Sequence, residues 1–185
     1  MILGETLIYQ NFVSLRLVTL AMADGRTAER HVEDHGDAST VLPFDPVRRV
    51  ALFVSQPRAA VMRAGEGDIL EAPAGSLEAD MAPDANAAEE ALEEAGVRLT
   101  ALDLVARSWS MPGVSTERNW LYHAEYGLAD RVGEGGGVAD ENEQITVHEI
   151  PLDRVACMAD AGEIPDMKTL LLIQTLRLRR PELFA

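Results

Sequence analysis

The chain has 185 residues, and 31 aspartates and glutamates against 16 lysines and arginines give it a formal net charge of −15. With 47% apolar and 25% charged residues, the composition is that of a globular domain and excludes a disordered chain, a collagen-like chain and a disulfide scaffold. The acidity predicts a protein that binds no nucleic acid. An anionic substrate would need a metal ion or a few local arginines to offset the negative electrostatic potential of the protein.

Neither a membrane nor a secreted location is predicted. No apolar run approaches the roughly 20 residues that cross a bilayer, and the first residues lack a signal-peptide pattern. The single cysteine, Cys157, cannot form an internal disulfide and fits a reducing compartment. We therefore expect a cytoplasmic protein with no membrane partner.

Two β-hairpins are predicted in the first third of the chain. Residues 5–21 are rich in β-forming side chains, and a turn at Asp24 and Gly25 leads into a return strand. A second hairpin joins residues 39–44 to residues 50–54 through a turn at Asp45 and Pro46. Because no compact partner for the first hairpin is visible in the sequence, its edges are expected to pair with another chain.

Helices are predicted to be the minority of the remaining elements. A helix capped by Asp84 should end at Gly96, and two more are expected over residues 152–161 and 166–180. Further strands are predicted over residues 118–126 and 144–150. This order predicts an α+β fold, an α/β/α sandwich with helices packed against a mixed sheet.

The helix that ends at Gly96 carries an unusual concentration of carboxylates. Apolar residues at helical spacing define its expected inward face: Ala88, Ala91, Leu92 and Ala95. Glu89 lies one turn from Glu93, and Glu90 one turn from Glu94, with no basic residue in the helix. Each like-charged pair costs about 0.2–0.5 kcal/mol, so the cluster is either a solvated face or a cation site, for which Mg²⁺ suits the oxygen donors.

The segment over residues 75–97 resembles the Nudix box, G-x5-E-x7-R-E-U-x-E-E-x-G-U, where U is apolar. The matching positions are Gly75, Glu90, Glu93, Glu94, Gly96 and Val97. Two positions differ, because Met81 replaces the first glutamate and Glu89 replaces the arginine.

Other segments resemble the ADP-ribose pyrophosphatase and GDP-mannose pyrophosphatase branch of that family. They are LPFDP at 42–46, QPR at 56–58, EAPAG at 71–75, MPG at 111–113, TER at 116–118, GGGV at 135–138, ADENE at 139–143 and GEIPDMKT at 162–169. The resemblance covers nearly the whole chain. It implies a Nudix domain over residues 39–185, preceded by a β extension over residues 1–38 that makes a homodimer.

The resemblance also implies site roles. The metal ligands would be the carbonyl of Ala74 and the carboxylates of Glu90, Glu94 and Glu143, with Mg²⁺ or Mn²⁺ as the cofactor. Catalytic roles would fall to Glu141, as the general base, and to Glu93 beside the ligands. Substrate-binding roles would fall to Arg58 and Glu117.

The implied activity is hydrolysis of the pyrophosphate bond of a nucleoside diphosphate sugar. ADP-ribose, cleaved to AMP and ribose 5-phosphate, is the first candidate, and GDP-mannose is the alternative. Because Met81 and Glu89 break the motif, a slow enzyme is one expectation. A nucleotide-sugar binding or regulatory protein without turnover is the alternative from another class.

Overall fold

Two β-sheets and four α-helices make up the computed structural model, which describes residues 1–78, 80–137 and 144–185. The strands are β1 (Ile2–Gln10), β2 (Ser14–Ala21), β3 (Thr27–Asp34), β4 (Ala38–Asp45), β5 (Val50–Gln56), β6 (Ile69–Glu71), β7 (Ala74–Ser76), β8 (Asp103–Trp109), β9 (Arg118–Glu125) and β10 (Thr146–Pro151). The helices are α1 (Ala59–Arg63), α2 (Pro83–Ala95), α3 (Leu152–Asp160) and α4 (Met167–Arg179). Within the described ranges, none of the helices is long and apolar enough to span a bilayer.

The larger sheet is mixed and has the strand order β10-β5-β4-β9-β8, with β6 paired to β5 and β7 paired to β4. Its central pair, β4 and β9, is parallel, and its other pairs are antiparallel. The predicted hairpin of β4 and β5 is confirmed, since Phe44 pairs with Ala51 beside the turn. The parallel pairing places Thr40 between β7 and β9, so residues near 74 and 121 lie on either side of it.

Helices cover both faces of this sheet, so the predicted α/β/α sandwich is confirmed. Successive strand residues alternate between two buried clusters, as Leu52 packs with α2 and Phe53 packs with α3 and α4. Burial on both faces explains why β4 and β5 are continuous apolar runs rather than alternating ones.

Helix α2 differs from its prediction in two details. It begins after Ala82 with Pro83 in the first turn, so Asp84 lies inside the helix and is not its cap. Leu92 was expected to face inward but is 40% exposed, whereas Ala87, Ala91, Glu94 and Ala95 are buried. The small alanine side chains let α2 approach the sheet closely. The helix is oriented about its axis so that Glu94, rather than Leu92, lies on the buried side.

The first three strands form a separate antiparallel sheet with the order β1-β2-β3. Every residue of β1 is exposed, including the apolar side chains of Leu3, Leu7 and Tyr9. The sheet meets the rest of the chain near Glu33, whose N–H donates to the Val114 carbonyl at 2.8 Å and whose carbonyl accepts from the Thr116 N–H at 3.0 Å.

Candidate active site

Glu94 and Glu90 of α2 both reach the start of β7, directly after the short loop that joins it to β6. Glu94 is 2% exposed, and its carboxylate accepts hydrogen bonds from the Ala74 N–H at 2.9 Å and from Nε2 of Gln56 at 3.4 Å. The Glu90 carboxylate lies directly over Gly75, where a Cβ atom would overlap it. A side chain at the first glycine of the predicted motif would therefore displace the Glu90 carboxylate from this position.

The donors around Glu94 explain how a charge can be buried here. An ionised carboxylate removed from water is costly unless hydrogen-bond donors or cations replace the lost hydration. The two bonds from Ala74 and Gln56 replace part of the hydration that the buried carboxylate loses. Oxygen atoms that are fixed in this way suit a hard divalent cation.

The other two glutamates of α2 have different environments. Glu93 is half-buried, and Glu89 is exposed. Glu89, which stands at the arginine position of the motif, is therefore exposed to solvent. For this one residue the interpretation of the cluster as a solvated helix face holds. Met81, the second departure from the motif, is half-buried, and its N–H donates to the Glu78 carbonyl at 3.2 Å.

A glycine-rich segment over residues 133–137 is bound to the C-terminal end of α2. The N–H of Gly136 donates to the Glu94 carbonyl at 2.9 Å, and the N–H of Gly137 donates to the Glu93 carbonyl at 3.1 Å. Gly135 adopts a φ of 73°, and a Cβ atom on it would overlap the Glu94 carbonyl oxygen. This contact satisfies terminal helix carbonyls and needs glycine for both conformation and space.

Glu141 and Glu143 lie outside the described residues, so their predicted roles stay predictions. The described residues that flank Glu141 and Glu143 in the sequence contact α2 or the buried cluster beneath it. Gly137 binds the end of the helix, and Ile145 packs against the buried cluster that includes Ala91 and Ala95. The described residues on either side, Gly137 and Ile145, therefore both contact the helix that carries Glu90 and Glu94 or the cluster beneath it.

Two cations lie at the start of the same loop. Nε of Arg58 donates to Oε2 of the buried Glu71 at 2.8 Å, and Nζ of Lys168 lies 3.9 Å from Oε1 of Glu71. Glu71 is only three residues before Ala74 in the sequence. The predicted substrate-binding Arg58 thus shares a carboxylate partner with Lys168 of α4, which lies 97 residues further along the chain than Glu71.

Asp166 connects α4 to this loop. Its carboxylate caps the helix, accepting from the Thr169 N–H at 2.9 Å and from Thr169 Oγ1 at 2.7 Å, and it pairs with Lys168 at 2.7 Å. Oγ1 of Thr169 in turn accepts from the Ala72 N–H at 2.7 Å. Burial alone would raise the pKa of Asp166, but Lys168 and the Thr169 donors outweigh it and hold that pKa below the usual range of an aspartate.

We expect Asp166→Ala to lower the free energy of unfolding by about 1–2 kcal/mol at pH 7, the usual value of a helix N-cap. Because the folded-state pKa is depressed, this contribution is present above the unfolded pKa and is lost as the pH falls through the folded value. Urea unfolding at several pH values measures it. The difference from the wild type should be constant between pH 7 and pH 5 and should shrink below pH 3.8. A difference that grows on acidification would contradict this assignment.

Glu117 lies apart from the α2 carboxylates, on the side of the sheet that faces α4. Its carboxylate is 3.7 Å from Nε2 of His35, whose Nδ1 lies 3.1 Å from Glu33 at the end of β3. Glu117 and Lys168 both line a cavity of about 740 Å³ between the start of β9 and the start of α4. The predicted substrate-binding acid thus shares a cavity with a cation that the sequence did not single out.

Within the described ranges, no group of three or more histidine, cysteine, aspartate or glutamate side chains is arranged to hold a metal ion. The described part of the site supplies the Glu90 and Glu94 carboxylates beside Ala74 and Gly75. This all-oxygen donor set is of the kind that Mg²⁺ or Mn²⁺ takes, with further positions left to water, substrate phosphate or other carboxylates. The residues present fit such an ion.

Comparison with known proteins agrees with the family that the sequence resembles. The chain is 35% identical over 184 residues to the GDP-mannose pyrophosphatase of Cronobacter sakazakii, covering 96% of this chain and 95% of that one. It is 33% identical over 183 residues to the GDP-mannose pyrophosphatase of an Enterobacter species, covering 96% and 94%. No family model matches the chain.

Among solved structures, the crystal structure of an ADP compounds hydrolase resembles this chain with a TM-score of 0.78, covering 98% of this chain and 94% of that one. Sequence identity across that match is 14%, so the match concerns the fold alone.

Proposed function

We propose, from the premise that the chain belongs to the Nudix hydrolase family and is a pyrophosphatase, that it cleaves the pyrophosphate bond of GDP-mannose or ADP-ribose. One observation carries the proposal. Glu94 accepts a hydrogen bond from the Ala74 N–H, and the Glu90 carboxylate lies against Gly75, so two carboxylates lie beside the first residue of the family's motif. The names of the relatives favour GDP-mannose, which would yield GMP and mannose 1-phosphate.

Each polar group of the site has a role in this reaction. Glu90, Glu94, Glu143 and the Ala74 carbonyl would hold Mg²⁺ or Mn²⁺, and such an ion neutralises pyrophosphate oxygens and acidifies bound water. Arg58 and Lys168, which lie at the start of the loop, would bind phosphate oxygens. Glu141 would take the proton of the attacking water, and Glu93 would support the neighbouring carboxylates. The new bond joins water oxygen to phosphorus as the bridging phosphorus–oxygen bond breaks.

A substrate panel tests the proposal. GDP-mannose, ADP-ribose and related nucleotide sugars are incubated with the enzyme and Mg²⁺, and phosphate is measured after phosphatase treatment. We expect turnover that requires Mg²⁺ or Mn²⁺ and stops when EDTA is in excess. Full activity in excess EDTA would contradict the metal site, and a preference of at least tenfold for one nucleotide sugar would identify the substrate.

The second candidate function is nucleotide-sugar binding without turnover. Met81 and Glu89 favour it, because each replaces a charged group of the family motif. The same panel separates the two functions. Tight calorimetric binding of GDP-mannose together with no phosphate release above background would support the binding protein.

Residues 1–38 are proposed to form a dimerisation extension, and residues 39–185 the catalytic domain. The support is the separate sheet of β1, β2 and β3, whose first strand is exposed along its whole length and carries apolar side chains. Exposed apolar strands at a sheet edge are usually covered by another chain, and a second copy of this chain is the proposed partner.

We expect the full-length protein to sediment at twice the 20.1 kDa monomer mass at micromolar concentration. Leu7→Lys, on the exposed β1, should shift it toward the monomer by at least tenfold in the dissociation constant, because burying an unpaired ammonium is costly. Val47→Lys is the matched control, because Val47 is 90% exposed in the turn between β4 and β5. A monomeric wild type, or equal effects of both substitutions, would refute the proposal.

A further inference from the structure

A linker segment, residues 33–37, carries the chain from β3 to β4 and lies along the loop of residues 114–118. Glu33 begins this contact with a parallel bridge to Ser115, made by two backbone hydrogen bonds of 2.8 and 3.0 Å. Backbone bonds of this kind fix the register of two segments, as they do between neighbouring strands. The loop that carries Glu117 is therefore aligned with the linker segment.

The other end of the linker segment is fixed to the same loop by a carboxylate. Oδ1 of Asp37 accepts from the Arg118 N–H at 3.1 Å and from Arg118 Nε at 3.2 Å, and Oδ2 lies 2.9 Å from Nη2 of the same arginine. The Asp37 carbonyl also accepts from the N–H of Leu77, just after β7, at 2.8 Å. Glu117 thus lies between two attachment points, one at Ser115 and one at Arg118.

His35 stands at the middle of the linker segment and faces the Glu117 side chain. Its Nε2 lies 3.7 Å from a carboxylate oxygen of Glu117, and its Nδ1 lies 3.1 Å from a carboxylate oxygen of Glu33. An ionised carboxylate only accepts hydrogen bonds, whereas an imidazole nitrogen can carry a hydrogen to donate. The ring is therefore placed to hold the Glu117 carboxylate from one side and to separate it from a like charge on the other.

The surroundings of the imidazole limit its movement. The side chains of His35, Glu33 and Glu117 are each only 19–26% exposed, so neighbouring atoms enclose most of the contact. Phe12, in the turn between β1 and β2, stacks against the imidazole with the ring centroids 6.3 Å apart and the planes inclined by 21°. A binding group keeps its geometry when the residue behind it is itself fixed by packing and hydrogen bonds. His35 meets that requirement for Glu117.

We infer that His35 is a positioning residue for substrate binding, because its Nε2 holds the Glu117 carboxylate in the orientation that binds the nucleotide sugar. His35 acts through Glu117 and contacts no substrate itself. It belongs to the N-terminal extension, so the extension supports the active site of its own chain in addition to its proposed role in the dimer. The inference rests on the proposed function, in which Glu117 binds the substrate. Loss of this support should weaken binding and leave the chemical step unchanged.

Two substitutions of His35 separate the contact with Glu117 from the contact with Glu33. The side-chain amide nitrogen of glutamine can occupy the place of Nε2, whereas that of asparagine matches Nδ1 and stops short of Glu117. We expect His35→Asn to raise KM for the nucleotide sugar that the wild type cleaves by about 3- to 10-fold, the usual value of one hydrogen bond, with kcat within about twofold of the wild type. His35→Gln is the matched control, and its KM should stay within about twofold of the wild-type value.

A double-mutant cycle with Glu117→Ala shows whether His35 acts through Glu117. Once Glu117 is removed, His35→Asn should change KM by less than about twofold, because the group that it positions is gone. Four results would overturn the inference: an unchanged KM in His35→Asn, equal KM values for His35→Asn and His35→Gln, a full further rise in KM when His35→Asn is added to Glu117→Ala, or a fall in kcat without a rise in KM.

A measurement without ligand decides the contact if a variant proves unfolded by circular dichroism. In long-range ¹H–¹⁵N spectra of the histidine rings, Glu117→Ala should shift the Nε2 resonance of His35 more than its Nδ1 resonance, and Glu33→Ala should do the reverse. An Nε2 resonance that responds to neither substitution would refute the contact.

A wild type that cleaves no nucleotide sugar would contradict the proposed function, and a binding measurement then decides the inference separately. Calorimetry compares the affinity of the wild type, His35→Asn and His35→Gln for GDP-mannose. Binding that is about 3- to 10-fold weaker in His35→Asn alone would support the inference. Equal affinities of the three proteins, or no binding by the wild type, would overturn it.

Discussion

Glu94→Gln should lower kcat/KM for the preferred nucleotide sugar by about 10²–10³-fold at saturating Mg²⁺, since losing a carboxylate ligand removes several kcal/mol of charge stabilisation in the transition state. The fold should survive. A glutamine oxygen can still accept from the Ala74 N–H, and Gln56 can turn its amide to meet the new NH₂ group. We expect the free energy of unfolding to change by about 1 kcal/mol, the scale of one hydrogen bond.

Glu89→Gln is the matched control for this substitution. It removes the same charge from the same helix, but Glu89 is exposed. We expect its kcat/KM to stay within about twofold of the wild type, since surface substitutions away from a site have small effects. Near-normal activity of Glu94→Gln would contradict its role as a metal ligand. An equally large loss in Glu89→Gln would show that net helix charge matters rather than the placement of Glu94.

Local signals in the sequence predicted much of the framework around the site. The Asp45–Pro46 turn predicted the β4–β5 hairpin, and Gly96, which adopts a φ of 67°, predicted the end of the carboxylate helix. Each of these features depends on a few adjacent residues whose backbone preferences are strong. The resemblance to the Nudix box and to the other quoted segments also predicted the family and the enzyme class correctly.

Short or symmetric patterns were harder to interpret. Strands β6 and β7 have three residues each, too few to show a period of two, and neither was predicted. The alanine-rich α2 allows several inward faces, and the predicted face included Leu92, which is exposed. Packing against the sheet selects the face that buries Glu94, and no local pattern contains that information.

The contacts between distant segments had no local signal at all. Lys168 meets Glu71, and His35 meets Glu117, through pairings of elements that lie far apart in the chain. A lysine in a C-terminal helix and a histidine in a linker are ordinary residues until the fold places each of them beside a carboxylate. The roles of Glu141 and Glu143 stay predictions, because both lie outside the described residues.

Glu141→Gln should lower kcat by about 10²–10⁴-fold, the usual contribution of a general base, with little change in KM. The chain around Glu141 supports a role at the carboxylate helix. Gly136 and Gly137 bind the carbonyls of Glu94 and Glu93, so the segment begins at the end of α2. Ile145, just after the segment, packs into the cluster beneath the same helix.

The experiment separates Glu141 from its neighbour Glu143, which is proposed as a metal ligand. Glu143→Gln should raise the Mg²⁺ concentration needed for half-maximal rate, whereas Glu141→Gln should lower kcat and leave that concentration unchanged. Glu134→Gln, an exposed carboxylate of the glycine-rich segment, is the control and should behave as the wild type. A base is needed in its ionised form, so the acidic limb of the pH–kcat profile should disappear only in Glu141→Gln. If Glu141→Gln retains this limb and a kcat near the wild-type value, the proton is taken by another group.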